Sequence, residues 1–357
     1  MSFSNIFFHK KHSESVVFID IGASSVAGAY AHYAEGEVPA LLYTRRLPIE
    51  LHKDEPHETA MLRALHVLGD ALIREGAPTL MRATGRGDAG TILVSIDAPW
   101  QETRVRAEKF EQKDPFIFSK SIVARALKET YVAMPGKVLA DESIIGTTLN
   151  GYETHNPYGK KVHRAAIVIL TSLIDERIAN GIATTLRNLY HTKNVLLIAG
   201  SSLRYQTLRA VFPHESDMLI LDATGSLTSI ALVRKNFLVT VNEMSPASGP
   251  PAESSDAVTP DAWIQRIKDE LVEIAKDFPL PRTIFLLAQE SEIASLQKSL
   301  EAAKLGGLWL SDNPLTIVPV LASHMNGSIR QVTATPPDLP LLLMTLFWHY
   351  RTPEEKP

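Results

Sequence analysis

Asp20 and Asp222 are the residues around which chemistry can be built. Each ends an apolar run and opens a short polar turn. The first stretch reads Val16-Val17-Phe18-Ile19-Asp20-Ile21-Gly22-Ala23-Ser24-Ser25, and the second Met218-Leu219-Ile220-Leu221-Asp222-Ala223-Thr224-Gly225-Ser226-Leu227-Thr228. Runs this apolar predict strands buried on both faces. An aspartate where such a strand leaves the core turns its carboxylate toward a cleft. Gly22 lets the backbone approach a ligand closely, and Ser24 and Ser25 can donate to phosphate oxygens.

These groups need elements to hold them. After Ser25 the chain reads as a strand over 26–33, a turn at Glu35-Gly36-Glu37 and a return over 40–46, a hairpin whose glycine-bearing tip can cradle an anion. The second stretch repeats the device, with a strand over 229–234, a turn at Lys235-Asn236 and a return over 237–241. Two strand-Asp-loop-hairpin units predict two similar domains facing each other across a cleft.

Other candidate chemistry falls away. His57 and His66 do not share a helix face, so they make no metal pair. Gly85-Arg86-Gly87-Asp88-Ala89-Gly90 matches a dinucleotide pattern, but it follows a helix and precedes a strand, the reverse of what that loop requires. Gly200-Ser201-Ser202 lacks the second glycine of a nucleophile elbow.

The chain has 357 residues, 45% of them hydrophobic and 21% charged, room for two or three domains. A net charge of -4 gives no electrostatic reason to expect nucleic acid. The absence of cysteine excludes disulfides and thiolate metal sites and fits a reducing cytosol. No apolar run approaches the ~20 residues of a membrane span, so a soluble chain is expected.

Along the chain, helices are expected from Pro56-His57 to Gly76-Ala77-Pro78, over 118–131, 174–189 and 201–212, after Thr259-Pro260, over 293–303, and over 339–350. Strands are expected over 91–96, 103–109, 141–149, 165–170, 195–199 and 283–288. Strand and helix alternating from 165 onward predict a βαβ sheet. Residues 244–258 are rich in Pro, Ser and Ala and read as a surface loop. The helix over 339–350 is apolar around most of its circumference and is expected to be buried.

Taken together, the paired loops and their order resemble the phosphate loops of the actin-like ATPase superfamily, and the opening Phe18-Ile19-Asp20-Ile21-Gly22-Ala23-Ser24-Ser25-Val26 is similar to that of the bacterial FtsA and PilM proteins. The resemblance implies an α/β, duplicated ribonuclease H-like fold of two lobes with a small α+β subdomain inserted into the first. Its segments are 1–96 and 162–215 for the first lobe, 97–161 for the insert, 216–335 for a reduced second lobe and 336–357 for the last helix and tail. It also implies ATP and Mg²⁺ as cofactors. Asp20 and Asp222 hold the metal through water, Gly22, Ser24 and Ser25 form the first phosphate loop, and Thr224, Gly225, Ser226 and Thr228 form the second. Catalysis in that family comes from positioning and charge neutralisation, not from a nucleophilic side chain.

The sequence departs from the pattern in three places. The second loop has one glycine, residues 244–258 stand where FtsA clamps the adenine, and the adenosine loop reads Ala288-Gln289-Glu290-Ser291. Two functions therefore stay open. One is a cytoplasmic scaffold with weakened or lost nucleotide use. It would recruit a cytoskeletal division protein or the cytoplasmic tail of a membrane protein, or self-associate. The other is a working Mg-ATP switch. The departures favour the first. Only residues 351–357 follow the last helix, too short and acidic for a membrane helix, so membrane contact is expected only through a partner or the apolar patch at Phe3, Ile6, Phe7 and Phe8.

Overall fold

The computed structural model describes residues 13–129, 135–154, 156–244, 259–303, 305–309, 315–325, 327–332 and 336–351. The apolar patch at residues 3–8, nearly all of the Pro/Ser-rich loop and the tail after residue 351 lie outside them.

Three sheets carry the chain. The first lobe holds β1 (Glu14–Ile21), β2 (Ser25–Tyr33), β3 (Ala40–Pro48) and β4 (Thr91–Ile96). A helical rod between β3 and β4 consists of α1 (His57–Ala71), a π-helical turn (Leu72–Gly76) and α2 (Ala77–Thr84). Sequence reasoning ends this rod near Gly76-Ala77-Pro78, whereas the structure continues it to Gly85, whose φ of 77° closes it. Pro78 sits in the first turn of α2, directly after the π-helical turn.

An inserted four-stranded sheet follows, formed by β5 (Gln101–Ile117), β6 (Lys137–Leu149), β7 (Tyr152–Glu153) and β8 (Lys161–Asp175), with α3 (Lys120–Glu129) between β5 and β6. The apolar run at 165–170, expected to begin the second part of the first lobe, lies inside β8. That strand pairs along its length with β5 on one side and β6 on the other. It is apolar because it is the central strand of the insert, and burial alone does not reveal which sheet a strand joins.

The first lobe resumes with α4 (Glu176–Tyr190), β9 (Val195–Ala199) and α5 (Gly200–Val211). The second lobe is built from β10 (Met218–Ala223), β11 (Ser229–Arg234), β12 (Phe237–Glu243), α6 (Pro260–Asp277), β13 (Thr283–Ala288), α7 (Ile293–Ala302) and β14 (Thr316–Pro319). A short β15 (Arg330–Gln331) then returns to pair with β3, and α8 (Leu339–Tyr350) follows.

The duplication is visible in the sheet order. In the first lobe β3-β2-β1-β4-β9 form consecutive neighbours, and in the second β12-β11-β10-β13-β14 do the same. In each, a hairpin meander precedes two parallel strands. Among the described residues no helix is long and apolar enough to cross a membrane. The apolar α8 is instead buried in the protein, packed with α5 and both lobes in one core.

Candidate functional site

Period-two alternation brings the two aspartates together. In β1, Val17, Ile19 and Ile21 point into the core under α1, while Val16 and Phe18 point into a second core containing α5 and α8. In β10, Leu219, Leu221 and Ala223 face α6, while Met218 and Ile220 enter the same α5–α8 core. Asp20 and Asp222 continue the second set in each strand, so both carboxylates point toward the interface between the lobes.

The residues read from the sequence as two phosphate loops line a single cavity there: Asp20, Gly22, Ser24, Ser25, Asp222, Thr224, Gly225, Ser226 and Thr228. They are not equally available. Ser24, Gly225 and Ser226 are exposed. Ser25 Oγ accepts from Arg46 at 2.8 Å. The first loop is pinned by Trp100, whose Nε1 donates to the Gly22 carbonyl at 2.8 Å, and by His57 against the Ala23 carbonyl at 2.8 Å. Thr228 is fully buried, and its hydroxyl accepts from Trp263 Nε1 at 3.0 Å. That side chain secures the second loop to α6.

Two arginines dominate the cleft. Arg46 Nη2 donates to Asp20 Oδ2 at 2.9 Å, and its Nε and Nη2 donate to Asp338, the N-cap of α8, at 2.7 and 2.9 Å. Arg204, buried in α5, donates through Nη1 and Nη2 to the two oxygens of Asp97, each at 2.7 Å. Its Nε lies 2.5 Å from Asp222 Oδ2. That N–H is not aimed at the oxygen, so the contact is one of charge. Asp222 Oδ1 accepts from the Thr224 amide at 2.9 Å and from its hydroxyl at 2.6 Å.

Sequence reasoning missed Arg46, Arg204, Asp97 and Asp338. The hairpin register carried a signal for Arg46. Asp20 pairs with Ala27 and Ala27 with Arg46, so the three stand in a row, with a small residue between acid and base.

The acids outnumber the bases, and burial shows in their proton affinity. Asp20 is pushed up to about 6, first by burial and then by Asp97 and Asp338, against the pull of Arg46 and Arg204. Glu243, which accepts from Gln101 Nε2 at 2.5 Å, is pushed up to about 7 by burial, Asp97 and Glu102. Burial works against the charge on Arg204, but Asp222 and Asp97 more than offset it and the guanidinium stays protonated.

A pH dependence follows. Between about 4.5 and about 7 the folded state holds a proton on Glu243 that the unfolded chain releases, so this contribution to stability is lost as pH rises through that window. Asp20 acts in the same direction between its ordinary value and about 6. The melting temperature is expected to be higher at pH 5.5 than at pH 8. Glu243→Gln should raise it at pH 8, by about 1–3 kcal/mol of stability, and change it less at pH 5.5. A variant that melts like the parent at pH 8 would refute the assignment.

In this arrangement a magnesium-bound triphosphate would have to displace two arginines. One oxygen of Asp20 and one of Asp222 face guanidinium groups. The space between the loops is about 50 Å³, against ~300–1,000 Å³ for a ligand pocket. A roomier cavity of about 540 Å³ adjoins it, lined by Arg45, Arg46, Ala288, Gln289, Glu290, Ser291, Leu321 and Pro336 to Pro340.

No family model and no curated protein sequence matches the chain. Solved structures do. A chain of the PilM-PilN type IV pilus biogenesis complex superposes with a TM-score of 0.58 at 15% identity, covering 94% of this chain and 98% of that one. A protein of Bacteroides thetaiotaomicron VPI-5482, described as having an actin-like ATPase fold and unknown function, gives 0.47 at 9% identity over 93% and 95% of the two chains. The ethanolamine utilization protein EutJ from Carboxydothermus hydrogenoformans gives 0.42 at 10% identity over 93% and 88%. With two sheets of one topology meeting at the Asp20 and Asp222 loops, and a PilM-PilN chain superposing over 94% of this chain, the protein has the α/β actin-like fold.

Proposed function

We propose that the chain is an actin-fold scaffold that captures a protein partner, with nucleotide use weakened or lost. The observation that carries this reading is the cleft itself: Arg46 and Arg204 already neutralise the acids a metal would need, and little space remains between the loops. A fold shared with a component of a two-protein pilus biogenesis complex supports a protein partner. The cytoplasmic tail of a membrane protein or a cytoskeletal division protein fits that reading, as does work at the inner face of a membrane. The inserted sheet, with Ile117 and Tyr152 exposed at its far end, offers the docking surface.

A second reading, a Mg-ATP switch, draws on the 540 Å³ cavity beside Ala288, Gln289, Glu290 and Ser291, where the family resemblance puts an adenosine loop. For a polyphosphate to enter from there, Arg46 and Arg204 would have to leave their partners. Calorimetric titration separates the two. The scaffold gives no heat with Mg-ATP and hydrolysis at background. Saturable binding that Asp20→Ala and Asp222→Ala both weaken, with magnesium-dependent turnover, would replace it by the switch.

A further inference from the structure

We infer that Arg204 takes the place of a divalent cation in this cleft, so that a side chain, not a bound ligand, holds the second lobe closed on the first. The inference rests on the closed cleft of the scaffold reading and deepens it. Arg204 is 4% exposed and its guanidinium spans the lobes, with both oxygens of Asp97 on one side and Asp222 on the other. A planar, permanently charged fork suits two carboxylates at once.

The backbone is shaped around it. Gly200, one helical turn before Arg204, has no side chain, and a Cβ there would lie 2.0 Å from Asp97 Oδ1 and 2.3 Å from Arg204 Nη1. Further contacts tie the β11–β12 hairpin of the second lobe to the insert and to α5. Gln101 of the insert meets Glu243 at 2.5 Å, Tyr205 donates to the Asn236 carbonyl at 2.5 Å, and Lys235 pairs with Glu153. Without Arg204, the carboxylates of Asp97, Asp222 and the buried Asp20 face one cavity with Arg46 alone to balance them. Asp20 Oδ1 already has no hydrogen-bond partner among the described residues. A hydrated divalent ion has the charge to restore neutrality. The acids stand a guanidinium's breadth apart, so water would complete its shell.

The test uses the full chain and Mn²⁺, followed by water-proton relaxation. Arg204→Ala is expected to acquire Mn²⁺ binding with a dissociation constant of about 10⁻⁴–10⁻³ M, the range of weak oxygen-ligand sites. The parent and Arg204→Lys, which keeps the charge, are expected to show none. A folded Arg204→Ala chain that ignores Mn²⁺, or a parent that binds it equally well, overturns the inference. Should Arg204→Ala fail to fold, hydrogen exchange on the parent decides. Amides of β10 should keep their protection in EDTA and in Mg-ATP, and a change of about tenfold in either would refute built-in closure. Absence of any protein partner would sink the scaffold reading but leave these results standing.

Discussion

Replacing Gly200 by alanine is expected to cost about 1–3 kcal/mol, the range for losing hydrogen bonds to a charged group. Helix propensity points the other way, since alanine in a helix ordinarily gains up to ~1 kcal/mol over glycine. Geometry decides the sign. The added methyl would overlap Asp97 Oδ1 and Arg204 Nη1, so these two side-chain ends must move apart and Arg204 is left with Asp222 alone. Domains of this kind hold only about 5–15 kcal/mol in total, so the denaturation midpoint should fall sharply. Gly225→Ala is the matched control. A Cβ at Gly225 meets nothing within 4 Å, and the midpoint should barely change. Equal midpoints for Gly200→Ala and Gly225→Ala would refute the assigned role of Gly200.

Trp263→Ala is expected to cost a further-reaching 3–5 kcal/mol, roughly the range for deleting a buried indole. Trp263 is fully buried in the second lobe's core, among Leu219, Leu221 and Leu232. Its Nε1 donates to Thr228, whose carbonyl in turn accepts the Met244 amide at 2.9 Å. One substitution therefore empties the space between α6 and the sheet and also releases the second polar loop. Trp263→Phe keeps most of the bulk and loses the hydrogen bond, for about 1 kcal/mol. The check is the ordering of thermal midpoints, parent above Phe above Ala, with faster exchange of the Met244 amide in both variants. An unshifted Met244 in Trp263→Phe would show that Thr228 is held by something else.

How far the sequence was legible depends on the range of each interaction. The two strands ending in Asp20 and Asp222, and their hairpins, were readable because burial on both faces and period-two alternation are local signals. Convergence on one cleft followed from the duplication. The continuation of the rod past Gly76 was not readable, because a π-helical turn and a tolerated Pro78 look like a stop signal. The placement of β8 was not readable either, since an apolar run does not name its neighbours. The arginines were the deepest omission. Arg46 was within reach of hairpin register, but Arg204 meets Asp97 and Asp222 only once the helix, the end of β4 and the other lobe have docked.

Helix α8 has a consequence for how the chain is made. It arrives after the second lobe in sequence yet packs against the opening strands of the first. Trp348 donates to Glu14 at 2.9 Å, and Tyr33 donates to the Thr345 carbonyl at 2.9 Å. Val16 and Phe18 share one core with Leu342 and Leu346. At roughly 5–20 residues per second, β1 leaves the ribosome many seconds before the helix that covers it. Until α8 emerges, the β1–β3 part of that face stays uncovered, α5 lying over β4 and β9, and a chaperone has a defined apolar target there.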